Sequence, residues 1–292
     1  MKILLLGAGG QLAHDLSKSL AEHEVLPWTR AELDLGNCPL DLADRLKATG
    51  AHALVNAAAY NLVDQAETEP EQAYAVNAFG PRLLAKACDA AGMTLCHFST
   101  DYVFGLEPGR GEPWTVCDAP GPVSVYGCSK LAGEYAVRTY CERHFVLRTC
   151  GLYGVKGSRG KGGNFVETML RLAAKGGPLR IVSDQICTPS YTADVARAAA
   201  QLLMTKEYGL YHITNGGQSS WHAFASEIFR QAGHAVECQP ITSAEFGAAA
   251  RRPPYSVLSN EKLHKAGVTP PPDWKDALGR YLEERKSGRP SA

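Results

Sequence analysis

Apolar and polar positions along the first half of the chain repeat in two alternating periods. Ile3-Leu4-Leu5-Leu6 is a short unbroken apolar run, the pattern of a strand covered on both faces in a parallel sheet. Glycines end it, and residues 12–20 then follow helical spacing. The alternation continues with a predicted strand at 24–28, a helix near 40–49, a strand at 53–56, a long helix at 71–91 and a strand at 94–99. Residues 126–142 again have helical periodicity, and 144–149 read as the next strand. Strands alternating with helices in this way predict an α/β fold with a parallel sheet.

Past Thr149 the character changes. Lys156-Gly157-Ser158-Arg159-Gly160-Lys161-Gly162-Gly163 is a glycine-rich basic loop. A short strand is predicted at 179–183, a helix around 189–204, a late strand at 208–214 and a late helix at 221–232. Residues 248–254 and Pro270-Pro271-Pro272 break up the C-terminal third, and residues after about 284 are expected to fray. A length of 292 residues suits two lobes. The first is expected to span 1–150, completed by part of 185–215, and the second, smaller and interleaved with it, to come mainly from 151–292.

Charge and composition narrow the partners. An apolar fraction of 45% suffices for a large core, and a formal charge of zero removes any global electrostatic case for nucleic acid or an anionic membrane. A small molecule is the expected partner. Nine cysteines without a C-x-x-C pair, in a chain far larger than a disulfide-stapled module, read as reduced thiols. The apolar run after Met1-Lys2 is too short for a secretory signal, and no stretch approaches the roughly 18 apolar residues of a membrane span. A cytoplasmic location is expected.

The chemistry starts at Gly7-Ala8-Gly9-Gly10-Gln11-Leu12-Ala13, which follows a strand and opens a helix. Glycine there allows a tight turn and close approach of a pyrophosphate, whose charge the helix start favours. This is a Rossmann-type signature and predicts a doubly wound sheet. The second strand ends at Trp28-Thr29-Arg30, where NAD-preferring proteins of this type place an acid for the ribose hydroxyls. Arg30 is instead suited to the 2′-phosphate of NADPH, with NADH as the alternative, and Asp34-Leu35 is placed to contact adenine. The small residues Ala57-Ala58-Ala59, before Tyr60, let a cofactor lie against the backbone at a strand's carboxyl end. Ser99-Thr100-Asp101 closes the fourth strand with a hydroxyl able to hydrogen-bond a substrate carbonyl. Tyr126 and Lys130, four apart, share one helix face, so that an ammonium can lie beside a phenol and favour its anion.

These segments, with Ser-Thr-Asp-Tyr-Val-Phe at 99–104 and Val-Tyr-Gly-Cys-Ser-Lys-Leu-Ala-Gly-Glu at 125–134, resemble the extended short-chain dehydrogenase/reductases. Within them the chain is most similar to the dTDP-4-dehydrorhamnose reductase family, a similarity that Asn164 to Leu170, Ser183-Asp184-Gln185 and Gly209 to His212 extend to about residue 265. The resemblance implies NAD(P)H-dependent reduction of the 4-keto group of a nucleotide-bound 6-deoxy sugar. By matching position, Thr100 and Tyr126 would hold the ketone, Lys130 would bind the nicotinamide ribose and tune Tyr126, and Asp101 and Arg252 would contact substrate. Gly10-Gln11-Leu12, Asp34-Leu35 and Ala57 to Asn61 would hold the cofactor. No metal is implied, and a homodimer is compatible with the family.

The chain departs from the family pattern near the sugar. The family's Thr-Ser-Trp-Val-Tyr, whose Trp contacts substrate, is Thr149-Cys150-Gly151-Leu152-Tyr153 here; Asp-Gln-x-Gly is Asp184-Gln185-Ile186-Cys187; and Val116 replaces a Glu. Two alternatives share the resemblance. Sugar-nucleotide epimerases and 4,6-dehydratases use the same Tyr/Lys core, although dehydratases need a carboxylate pair after the Thr, where this chain has Asp101 and then Tyr102. A non-catalytic regulatory subunit, similar to the β subunit of methionine adenosyltransferase, is the other. Trp221 and Trp274 read as core anchors.

Overall fold

The structure is a computed structural model that describes residues 1–107, 109–156 and 163–287. The first half runs β1 (Lys2–Leu6), α1 (Gln11–Ser19), β2 (Glu24–Trp28), α2 (Leu42–Ala48), β3 (Ala53–Asn56), α3 (Pro70–Tyr74), α4 (Gly80–Ala90), β4 (Thr94–Thr100), α5 (Val125–Tyr140) and β5 (His144–Thr149). The second half runs β6 (Leu152–Tyr153), α6 (Phe165–Lys175), β7 (Leu179–Val182), β8 (Ile186–Cys187), β9 (Ser190–Tyr191), α7 (Thr192–Leu203) and β10 (Gly209–His212). It ends with β11 (Ser219–Ser220), α8 (Trp221–Ala232), β12 (Cys238–Ile241), α9 (Ser243–Phe246), α10 (Glu261–Lys265) and α11 (Trp274–Ser287).

Six strands form one parallel sheet in the order β2-β1-β3-β4-β5-β10. Alternate residues of β1 serve opposite faces, as the strand period requires. Ile3 and Leu5 pack with Leu12 and Leu16 of α1 and Val195 and Leu202 of α7, whereas Leu4 and Leu6 pack with Leu46 of α2, Leu84 of α4 and Val137 of α5. This is the doubly wound α/β fold that the alternating pattern predicts. The order reverses between β1 and β3, and ligands of open α/β sheets bind at the carboxyl ends beside such a reversal. A separate cluster of Tyr153, Val166, Ile181, Phe224, Ile228, Trp274, Leu278 and Tyr281 packs together elements that follow β5.

Two expectations are corrected. The helix expected over 71–91 is interrupted: α3 and α4 flank a five-residue π-helical segment, Ala75–Phe79. Pro81 has no N–H for the carbonyl one turn earlier, and the wider turn places Asn77 toward the centre of the molecule. The C-terminal helix is described through Ser287, so the expected fraying does not begin at 284, and residues 288–292 lie outside the described residues. The helix continues through Ser287 because Arg285 Nη2 donates to Glu167 Oε2 of α6 at 3.0 Å. Trp274 is a core residue, while Trp221 is only half-buried.

Two glycines let α5 press against its neighbours. A Cβ at Gly127 would stand 2.2 Å from the backbone oxygen of Tyr102, and one at Gly133 would stand 2.1 Å from that of Asn77. Neither backbone oxygen is free to swing aside, so a methyl at either position pushes the helix off. Gly127→Ala is expected to lower stability by about 1–3 kcal/mol, the usual range for overpacking. Gly111→Ala, whose added carbon meets nothing within 4 Å, serves as the control in the same denaturant titration. An unchanged midpoint for Gly127→Ala would contradict the close packing.

Candidate active site

The carboxyl ends of β1, β3, β4 and β5 converge at the chain reversal. After β1 the backbone turns at Gly7 with φ +78°, and a Cβ there would lie 2.9 Å from Ala58 N. Only glycine fits that approach. Gly10 leaves the start of α1 without a side-chain cap, so its first-turn amides are available to an anion. Gln11 Nε2 donates to the Leu152 carbonyl at 3.2 Å, and Gln11 Oε1 is buried without a partner. Leu12 and Leu35 are buried in the core, so only their backbones are free to face a ligand. Arg30 is exposed at the end of β2, where its Nε donates to Asp34 Oδ2 at 2.9 Å. The turn at Gly7, the uncapped helix and the small residues Ala57 and Ala58 form a cradle that fits a dinucleotide.

The segment after β3 is held by two asparagines. Asn56 Oδ1 accepts the Ala58 N–H at 3.0 Å. Asn77 clamps Tyr60 from both sides, accepting its N–H and donating to its carbonyl, each at 2.9 Å, and also donates to Ser129 Oγ on α5 at 3.1 Å. Ala57 and Asn61 are half-buried and Ala59 is exposed. The π-helical segment thus ties the cradle to the helix that carries Tyr126 and Lys130.

Lys130 lies deep in this arrangement, 2% exposed. Its Nζ donates to the Phe98 carbonyl at 2.7 Å and stands 3.5 Å from His97 Nε2. The bond from the Ala58 amide fixes Asn56 Oδ1 as an acceptor, so Asn56 Nδ2 donates to His97 Nδ1 at 3.0 Å. Neutral His97 therefore carries its proton on Nε2, facing the lysine. Burial, and then the Lys130 charge, hold the His97 pKa well below its usual value. Burial also pulls Lys130 down to about 8, opposed by Glu134 one turn along α5.

Tyr126 stands at the mouth of the site. Its ring meets Tyr102 edge-on at 5.5 Å between centroids, and its hydroxyl faces Thr100. Burial pushes its pKa up to about 12, with the Thr100 hydroxyl opposing. The phenol keeps its proton at neutral pH, as a proton donor must. The expected ammonium beside the phenol takes a different form: Lys130 directs its amine to β4, and Thr100 is the group that favours the phenolate.

Asp101 is buried, and protein groups occupy both of its carboxylate oxygens. Thr100 Oγ1 donates to Oδ1 at 3.1 Å, Cys150 Sγ donates to Oδ2 at 3.1 Å, and Ser256 lies nearby. Arg252 forks onto Asp64 at 3.1 and 2.8 Å and lies near Tyr102, which packs on Tyr126. A Cβ at Gly151 (φ +54°) would stand 3.2 Å from Pro189 Cα and 3.6 Å from the Trp221 ring, so these two residues border the space the bare glycine leaves. Of the basic loop, Arg159 and Lys161 lie outside the described residues.

Beneath the site, Glu134 of α5 and Arg148 of β5 form a buried bidentate pair, with Nε to Oε1 at 2.9 Å and Nη2 to Oε2 at 2.7 Å. Ser99 Oγ donates to the same Oε1 at 2.5 Å. These residues, with His97, Asn77 and Asn56, were not assigned roles from sequence. The available signal was a polar residue inside an apolar strand, as in Leu95-Cys96-His97-Phe98.

Comparison with known proteins agrees with this geometry. The family profile described as the RmlD substrate binding domain matches residues 1–287. A dTDP-4-dehydrorhamnose reductase of Mycolicibacterium smegmatis is 42% identical, covering 95% of this chain and 84% of that protein. The spore coat polysaccharide biosynthesis protein SpsK of Bacillus subtilis is 38% identical over 98% of both chains. A crystal structure of dTDP-4-dehydrorhamnose reductase from Bacillus anthracis in complex with NADP superposes with a TM-score of 0.90 at 37% identity, covering 97% of this chain and 99% of that one.

The desolvated lysine is directly measurable. In protein labelled with ¹⁵N-lysine, one amine is expected to titrate with a midpoint near pH 8, to be charged below it and neutral above it, and to vanish from the spectrum of Lys130→Met. A Lys130 midpoint at the ordinary value of about 10.4 would contradict the burial described.

Proposed function

The chain belongs to the RmlD family of dTDP-4-dehydrorhamnose reductases, and from that membership we propose that it uses NADPH to reduce the 4-keto group of a nucleotide-bound 6-deoxy sugar, converting dTDP-4-dehydro-L-rhamnose to dTDP-L-rhamnose. The observation that carries the reading is the placement of Tyr126 beside Thr100, with Lys130 anchored to Phe98, at the carboxyl end of β4 and next to a dinucleotide cradle. When bound, the nicotinamide supplies the hydride that the ketone carbon receives. Tyr126 gives the ketone oxygen its proton, and Thr100 stabilises the phenolate left behind. Lys130, held between Phe98 and His97, offers its cation to a ribose hydroxyl. Gly7, Gly10, Gln11 and Leu12 accommodate the pyrophosphate, Arg30 reaches the 2′-phosphate, and Asp34, Leu35 and residues 57–61 line the adenosine side.

Several finer assignments belong to the same proposal. The substrate lobe is built from the segments around β6 to β9 and from residues after β10. Arg252, poised beside Tyr102, meets the sugar nucleotide's diphosphate in exchange for part of its contact with Asp64. The protein works as a homodimer: Phe79 and Leu83, one turn apart, and Tyr135 on the adjoining α5 are large apolar side chains left exposed. No helix among the described residues is long and apolar enough to cross a membrane, and all nine cysteines are unpaired, which supports a reducing cytoplasm.

Purified protein is expected to oxidise NADPH when given dTDP-4-keto-6-deoxy-L-sugar. Tyr126→Phe should lower turnover by about 100- to 10,000-fold, the usual worth of a general acid, with NADPH affinity kept. Near-normal turnover in that variant would refute the assignment. Run alongside, Arg30→Ala is expected to weaken NADPH and leave NADH unaffected; equal loss with both would remove Arg30 from the 2′-phosphate. Arg252→Ala is expected to raise KM for the sugar nucleotide while sparing NADPH.

A further inference from the structure

Hydrogen bonds alone settle which nitrogen of His97 carries the proton. A backbone N–H only donates, so Asn56 Oδ1, which takes the Ala58 N–H at 3.0 Å, is an acceptor and Asn56 Nδ2 is a donor. Nδ2 meets His97 Nδ1 at 3.0 Å, which leaves that nitrogen without a proton. An imidazolium would set a second N–H against the amide, so the ring is neutral and its one proton sits on Nε2. Lys130 Nζ stands 3.5 Å from that nitrogen. The ammonium has three N–H bonds and no lone pair, so a donor faces a donor across this gap. Charge-assisted bonds close to about 2.7–2.9 Å, as the one from Nζ to the Phe98 carbonyl does at 2.7 Å. The contact with His97 stays open.

We propose that His97 is a positioning residue for Lys130: its Nε2–H, fixed by Asn56, denies the amine an acceptor on that side and leaves two ammonium N–H bonds for the cofactor's ribose. The identity of that ribose rests on the reductase reading. The other groups around Lys130 offer no rival acceptor. Glu134, one turn further along α5, has its carboxylate held by Arg148 of β5 and Ser99 of β4. Tyr126, one turn back, faces Thr100. Among the described residues, the Phe98 carbonyl is the one acceptor that Nζ bonds. His97 and Lys130 are both buried, so bulk water does not substitute for a partner. The shift of the ring agrees with the bonding: burial first, and then the Lys130 charge, keep His97 unprotonated. With its proton on the other nitrogen, the same ring would take a lysine N–H for itself.

Asn56→Asp reverses the ring. A carboxylate accepts from both Ala58 and His97, so the imidazole proton moves to Nδ1, and Nε2 becomes an acceptor that captures one Lys130 N–H. In protein labelled with ¹⁵N-histidine, the His97 signals are identified by their loss in His97→Phe. At neutral pH they should report a neutral ring protonated on Nε2 in wild type and on Nδ1 in Asn56→Asp. A wild-type ring protonated on Nδ1, or a proton that stays on Nε2 in Asn56→Asp, would overturn the proposal. The functional readout is NADPH affinity by fluorescence titration. Diverting one hydrogen bond of a charged group predicts about 10- to 100-fold weaker binding in Asn56→Asp. The double variant Asn56→Asp/His97→Phe keeps the added carboxylate but has no ring nitrogen to capture the amine, so it should recover most of that loss. Unchanged affinity in Asn56→Asp would overturn the positioning role. So would a double variant as weak as the single one, with both folded by circular dichroism, since the loss would then belong to the added charge. A wild-type protein that binds no NADPH would refute the reductase reading instead, and the histidine spectra would still test the ring.

Discussion

The close seating of α5 on the carboxyl end of β4 is the constraint on which the site depends. Gly127 and Gly133 permit it by omitting carbons that would stand 2.2 and 2.1 Å from fixed backbone oxygens. The buried pair of Glu134 and Arg148 spans the same contact from below. Desolvating two charges is costly, and such a pair adds little net stability, but removing one partner strands the other at a cost of about 3–5 kcal/mol. The pair therefore acts chiefly on register. Only one seating of α5 brings Glu134 to Arg148 and Ser99, and that seating also brings Tyr126 to Thr100 and Lys130 to Phe98 and His97.

The same seating couples the two halves of the reaction. Asn77 touches the Tyr60 backbone on the cradle side and Ser129 on α5, between the two functional side chains. On the other side of Lys130, the chain from Ala58 through Asn56 to His97 ends at the amine. A shift in the cradle is thus transmitted through directed hydrogen bonds as far as His97, whose ring lies against the lysine amine.

Much of this was legible in the chain. Apolar runs and the glycine turn gave the sheet and its helices because strands buried on both faces leave an unmistakable pattern, and Tyr126, Lys130 and Thr100 stood out through their spacing and motif. What stayed hidden depends on long-range contact. The break at 75–79 is set by Pro81 and by Gly133 pressing on Asn77, and the persistence of α11 by the pairing of Arg285 with Glu167. Asp101 was read as a substrate ligand from its place in a motif. Its burial beneath Cys150 and Ser256 follows from segments 49 and about 150 residues further along, which local pattern does not reach. The departures at Cys150 and Cys187 are informative for the same reason, since folding places Cys150 against Asp101 and Cys187 near Cys150.

The most direct test of the central claim follows the hydride itself. With NADPH deuterated at the transferring position and the dTDP-4-keto-6-deoxy sugar, mass spectrometry and NMR of the product should find one deuterium on the former ketone carbon, with one NADP⁺ released per sugar reduced. A product without deuterium, or an oxidised cofactor that stays bound and is regenerated within each cycle, would contradict a reductase and point to an epimerase or dehydratase built on the same core.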